Sequence, residues 1–234
     1  MKILPGLTTT QNSDWRAKID EIDKLGLKEL TLFPTCLKPD ARQDLYKRLE
    51  KTSLENIPHV HLRNDVTCRE IEYLINTYKS KIFNSHSERE FPVPHDWSDY
   101  AGLICLENSV MIPAREEIER FAGLCVDFAH WENGCLTKDD RYQEFADMCR
   151  DYTIGCCHVS AIKKEGQIPD NAATQISYAS HWLDDISEVD YMKKYIHYLP
   201  RLISIELENP LSVQLKVKKR LESLLDAPGA KDFA

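Results

Sequence analysis

The chain predicts a single (β/α)8 TIM barrel, and three observations carry that expectation. Eight short apolar runs are spread over 234 residues, most of them followed by a helical pattern. No shift in composition divides the chain, whose length is close to the ~250 residues typical of such barrels. Polar residues of metal-binding type stand at the C-terminal ends of the runs, where barrel enzymes gather their chemistry. A doubly wound open sheet is the competing arrangement. Against it, the first run carries no Gly-rich phosphate-binding turn.

In order, residues 2–8 (Lys-Ile-Leu-Pro-Gly-Leu-Thr) make the first strand, and Ser13 caps a helix from Asp14 to Lys24 that stops at Gly26. Glu29 to Phe33 is the second strand, with a helix from Pro39 to Lys51. Ile57 to Leu62 is the third, and Thr67-x-x-Glu70 is a capping box opening a helix that ends at Tyr78. Lys81 to Ser85 is the fourth, followed by a Pro-rich loop from Ser87 to Tyr100. Gly102 to Leu106 is the fifth strand, and Ala114 to Phe121 a short helix. The sixth is the run from Gly123 that ends in Asp127. Thr137-x-x-Asp140 starts a helix to Asp151, and Ile154 to His158 is the seventh strand. Lys163 to Asp185 is long for a connection, and its apolar residues, Trp182 among them, predict an ordered cover packed inward over the mouth. Ser187-x-x-Asp190 caps a helix to Tyr198, Leu202 to Leu207 is the eighth strand, and Val213 to Leu225 the closing helix. The barrel domain is thus expected over 1–226, with 227–234 a flexible C-terminal tail.

A net charge of -8, with no cationic cluster beyond Lys216 to Arg220, disfavours nucleic acid as a partner. No apolar run approaches the ~20 residues of a membrane helix, so no membrane partner is expected. Eight cysteines occur without a Cys-x-x-Cys pair or a secretory leader, which predicts reduced thiols in a cytoplasmic protein. Cys105, Cys125, Cys156 and Cys157 fall inside strands, where free Cys acts as a small hydrophobe. A homo-oligomer is left open.

The strand ends carry the candidate site. His59 and His61 end the third strand, His86 the fourth, Glu107 the fifth, Asp127 the sixth with His130 after it, His158 the seventh, and Glu206 and Glu208 the eighth. Asp-x-x-His alone also fits an Asp that caps the next turn. Because side chains alternate along a strand, Glu107 shares a side with Cys105, Asp127 with Cys125, His158 with Cys156 and Glu206 with Ser204. Each candidate ligand therefore has a small residue one layer below it. Three carboxylates and an imidazole converging on one mouth call for a divalent cation, since buried like charges are costly. Mn, Mg or Co suits the oxygen-rich set, and added histidines favour Zn.

The segments Leu-Glu-Asn at 106–108, Val-Asp-Phe-Ala-His at 126–130, His158, and Ser-Ile-Glu-Leu-Glu-Asn-Pro at 204–210 resemble the xylose isomerase-like TIM-barrel superfamily. That group includes sugar isomerases and epimerases, inosose dehydratase-like enzymes and endonuclease IV-like proteins. The resemblance implies a metal held by Glu107, Asp127, His158 and Glu206, with both glutamates moving protons and His130 touching substrate. Glu208 is the rival of Glu206, because endonuclease-like members place their glutamate two residues before a Pro. His61 and His86 look like the histidines that hold further zinc ions in those members. The Asp-x-His pair that such members carry after the seventh strand is here Ala179-Ser180-His181, so its Asp is missing.

The expected function is a divalent-metal-dependent isomerase or epimerase. It would act on a small carbohydrate-like ketone by enediolate proton transfer, with Glu107 and Glu206 as catalytic residues. The alternatives are an endonuclease IV-like multi-zinc phosphoester hydrolase and a barrel of the same superfamily that has lost catalysis.

Overall fold

Residues 3–8 of the first strand are all buried, as an apolar run must be when both its faces are covered. In the computed structural model, which describes residues 1–168 and 176–226, this strand is β1 (Lys2–Thr8). It is followed by β2 (Thr31–Phe33), β3 (His59–His61), β4 (Ile82–His86), β5 (Ile104–Glu107), β6 (Gly123–Asp127) and β7 (Ile154–Val159). Then come β8 (Ala161–Gln167), β9 (Ser177–Ser180) and β10 (Leu202–Ile205). Eight of these close into a barrel in the order β1-β10-β7-β6-β5-β4-β3-β2, while β8 and β9 form a separate antiparallel hairpin. The barrel pairings are all parallel. The predicted (β/α)8 barrel is the observed fold.

Helices α1 (Trp15–Lys24), α2 (Pro39–Leu49), α3 (Cys68–Tyr78), α4 (Arg115–Ile118), α5 (Phe128–Thr137), α6 (Arg141–Asp151) and α7 (Leu211–Leu225) surround it, with 3-10 turns at Ser98–Leu103 and Ile186–Tyr198. One apolar cluster packs α5, α6 and α7 onto β6, β7 and β10, and a second packs α1, α2 and α3 onto β2 to β4. Fully buried side chains such as Leu32, Ile57 and Val126 each contribute roughly 1.5–3 kcal/mol. The capping box at Thr67 and Glu70 forms as expected. Among the described residues no helix is long and apolar enough to cross a membrane.

Several elements differ from expectation, each for a local reason. Asp14, not Ser13, caps α1, because the Ser13 hydroxyl is drawn instead to the Thr8 carbonyl, 2.8 Å away. Thr137 ends a helix instead of starting one, and Lys138 follows it in the left-handed region at φ 58°. The cap of the turn beginning at Ile186 is Asp185. The stretch from Lys163 holds a β-hairpin where a loop was expected. Trp182 is 42% exposed, with its indole donating to Asp184, and Leu183 is the side chain that packs inward. The proposed tail, 227–234, lies outside the described residues.

Candidate metal centre at the barrel mouth

Alternation along each strand decides what enters the barrel. Cys105, Cys125 and Cys156 make a small buried cluster of their own inside it, while Cys157, one residue out of phase, packs outward among the helix-facing apolar side chains. One layer above the thiols, Glu107, Asp127, His158 and Glu206 each offer a ligand atom, and these atoms lie within 4.8 Å of one another. Adjacent strands hold them in register, with Asp127 opposite His158 and His158 opposite Ser204. His158 Nδ1 stands 3.2 Å from Glu206 Oε2, 3.5 Å from Glu107 Oε1 and 4.0 Å from Asp127 Oδ2.

Two of these atoms, His158 Nδ1 and Asp127 Oδ2, are buried without a hydrogen-bond partner, as are both ring nitrogens of His61. Orphaned polar atoms of this kind are costly. Their convergence on a group of carboxylates is the arrangement a cation resolves. Three oxygens and one imidazole nitrogen suit Mn2+, Mg2+ or Co2+, and Zn2+ becomes competitive as histidines join. The residues present therefore can hold a divalent metal.

The remaining predicted residues divide around this group. His61 Nε2 is 3.4 Å and His86 Nε2 3.8 Å from Glu107 Oε2, so the two oxygens of Glu107 face two sets of imidazoles. His130 Nε2 lies 3.9 Å from Asp127 Oδ2 and His181 Nε2 4.0 Å from Glu206 Oε2. Glu208 does not join them. Beyond the strand its backbone N–H bonds the His181 carbonyl at 2.7 Å, and its side chain lines a groove with Lys18 and Trp182. Asp127 satisfies both readings of its motif: Oδ1 accepts the His130 N–H at 2.8 Å and caps α5, while Oδ2 faces the cluster.

Charge and burial pull against each other here. Burial would raise the Glu107 carboxyl, but the charges of His158 and His61 outweigh it and hold the group well below the usual range. Burial likewise opposes ionisation of Glu206, yet His181 and His158 bring it down to about 2. Asp127 is raised, chiefly by burial and further by the two glutamates. His158 is buried too, which disfavours its charge, but Glu107 and Glu206 reverse this and raise it well above normal. Burial lowers His61 to about 3.

The sequence placed His59 among the strand-end residues but gave no orienting role to it or to Asn84. His59, two residues before His61 on the same side of β3, sits one layer lower. Its Nδ1 bonds the Ser204 hydroxyl at 2.7 Å and its Nε2 the Asn84 carbonyl oxygen at 2.8 Å. Asn84 then donates to Glu107 Oε2 at 2.5 Å. With burial lowering His59 to about 3, a neutral imidazole connects three strands beneath the carboxylate. Alternation in His-Val-His was the available signal. Asn108 bridges β5 to β6 by accepting from Asp127 N–H at 2.8 Å and donating to the Asp127 carbonyl at 2.9 Å. Asn209 makes the same pair of bonds to Leu183, at 2.8 and 3.0 Å.

No family model and no curated protein matches the chain. Among solved structures, the probable 3-DHS dehydratase AsbF of Bacillus anthracis, involved in petrobactin synthesis, is similar. It shares 15% identity over 94% of this chain and 99% of its own, at a TM-score of 0.48.

Proposed function

We propose that this chain is a metal-dependent isomerase or epimerase of the xylose isomerase-like superfamily, acting on a small carbohydrate-like ketone. The observation that carries the reading is a pair of buried carboxylates, Glu107 at the end of β5 and Glu206 just after β10, which converge on one imidazole from strands three places apart in the barrel. Glu107, Asp127, His158 and Glu206 would hold the cation. When bound, it would polarise adjacent substrate oxygens and stabilise the charge that develops on them. Both glutamates are held ionised, so either can act as a base at neutral pH. Glu206 takes the proton from the carbon beside the carbonyl, and the electron pair moves onto the carbonyl oxygen to give an enediolate. Glu107, aimed by Asn84, takes up a proton from solvent and delivers it to the other face of the enediolate, and Glu206 releases its proton to solvent to restore the starting state. His130 and His181 stand at the rim where they can contact substrate hydroxyls.

Such a reaction exchanges a carbon-bound hydrogen with solvent. Deuterium uptake from heavy water across a panel of ketoses, keto-polyols and their phosphates is the test. Glu107→Gln and Glu206→Gln should each lower exchange by at least ~100-fold, the lower end of general-base contributions.

A second reading rests on a separate observation, the approach of His61 and His86 to the other oxygen of Glu107. These residues would hold a second cation, as in a multi-metal phosphoester hydrolase. Elemental analysis separates the readings: one Mn, Mg or Co per chain supports the isomerase, while two or three Zn support the hydrolase. Cleavage of a model phosphodiester in zinc, with no exchange on any ketose, would sink the first reading.

A further inference from the structure

Next to the centre, on the side of β2, β3 and β4, the mouth opens into a cavity of about 400 Å3 lined by Thr35, Lys38, His61, Arg63, His86 and Phe91 among others. His61 and His86, which line it, also face Glu107 Oε2, so the cavity borders the reaction site. Its charge is unlike that of the chain as a whole. The protein carries a net charge of -8, yet two cations and no carboxylate line this cavity.

Both cations are available. Arg63 is anchored by one bond, from Nη1 to the Leu37 carbonyl at 3.0 Å, and its Nη2 has no partner among the described residues. The carboxylate nearest to it, Asp65, is 3.6 Å from Nε but is already taken by the buried Arg42 at 2.7 Å. The Lys38 ammonium has no ion pair among the described residues. A second sign points to a ligand: His61 is 3% exposed and lines the cavity, and while its Nε2 faces Glu107 Oε2 at 3.4 Å, its Nδ1 has no partner. The Phe91 ring, 5.1 Å from that of His86, adds an apolar surface to the lining.

We propose that this cavity is an oxyanion subsite, in which Arg63 and Lys38 receive a phosphate or carboxylate substituent of the substrate whose reacting carbons lie at Glu107 and Glu206. The inference rests on the isomerase reading for what reacts, and it narrows the substrate class to anionic sugar derivatives. The partnerless Nη2 of Arg63, with the guanidinium charge behind it, can donate to an oxyanion oxygen. Arg63 and Lys38 act as specificity residues and take no part in the proton transfer.

The test is equilibrium dialysis of the full chain with labelled inorganic phosphate, both stripped by chelator and loaded with Mn2+. Acetate and malonate run in parallel to identify the favoured oxyanion. Wild type should bind in both states. Arg63→Gln should weaken binding by about tenfold or more, the scale of one charge-assisted pair. Arg63→Lys should recover part of the loss, and Lys38→Gln, on an exposed side chain, should weaken binding less. Glu107→Gln, which disables the centre, should bind oxyanions as wild type does. Circular dichroism confirms that each variant is folded. Binding that needs Mn2+, disappears in Glu107→Gln and ignores Arg63 would overturn the proposal, because the anion would then sit on the centre. Absence of binding by every oxyanion in both states would overturn it too. If Arg63-dependent binding is found while no substrate exchanges deuterium, the isomerase reading fails and the subsite stands.

Discussion

Asn108 and Asn209 are buried to 0% and 3% exposure, and each pairs its side-chain amide with the N–H and carbonyl of one residue in a neighbouring segment. Removing either leaves a buried N–H and C=O unpaired. Asn108→Ala should therefore lower the urea-unfolding free energy by roughly 2–4 kcal/mol, from two unsatisfied groups at about 1–3 kcal/mol each before relaxation, and it should also weaken metal retention. Glu107→Gln should lose stoichiometric metal while keeping its circular dichroism spectrum, whereas Glu208→Gln should retain metal, because its side chain lies in the Lys18 groove. Lys18 offers a check on sign. Burial lowers its amine from 10.5 to about 7, although it donates to Thr8 Oγ1 at 2.8 Å and to the Leu207 carbonyl at 2.7 Å. Between about pH 7 and pH 10.5 the unfolded chain binds the proton and the folded one does not, so this group makes stability rise with pH in that window. Urea midpoints measured from pH 7 to 9.5 should rise through this contribution in wild type, while Lys18→Met should lack it. A wild-type curve parallel to that of the variant would contradict the assignment.

At the scale of elements, legibility followed burial. The barrel strands were readable because inward and outward faces are both covered, which leaves continuous apolar runs, and the candidate residues that the structure brings together were readable because they stand where those runs stop. Helix α5 was not. Asp127 is at once the last residue of β6 and the cap of α5, so no turn separates the two, and Gly134 interrupts the helical pattern. The structure shows why a glycine stands there: a Cβ at 134 would meet the Tyr142 ring at 2.0 Å. Gly134→Ala should thus destabilise the protein, although alanine is favoured in a helix by about 1 kcal/mol. Adding Tyr142→Ala should remove that clash, and a double-mutant cycle by urea unfolding measures the coupling. The hairpin β8–β9 was hidden for the opposite reason. Its residues 164–167 are exposed, and no apolar alternation marks such a strand. Leu183→Ala should cost about 2–5 kcal/mol as a buried truncation, while the exposed Trp182→Ala should cost about 0.5 kcal/mol or less.

The two ends of the described chain close the whole molecule. β1 pairs with β10 from Lys2 opposite Leu202 to Pro5 opposite Ile205. The α7 side chain of Gln214 locks that seam, accepting from Gly6 N–H at 2.7 Å and donating to the carbonyls of Gly6, Leu207 and Asn209, each at 3.0 Å. We propose that residues 1–226 constitute the folding unit. Deleting 227–234 should leave the Tm unchanged, whereas truncation before α7 should abolish cooperative unfolding. A ligand that binds only the folded state stabilises by mass action, about 2.7 kcal/mol at a hundredfold excess over Kd. Chelation should accordingly lower the Tm, and Glu107→Gln should erase the difference between chelated and metal-loaded samples.

The divided carboxylate of Asp127 has a consequence for measurement. One carboxylate tethers the His130 amide in the first turn of a helix with one oxygen and faces the candidate centre with the other, so whatever grips the second oxygen also stiffens the first. The His130 amide becomes a native gauge of occupancy. Its hydrogen exchange should slow when the centre is filled and quicken when it is emptied, before any substrate has been found.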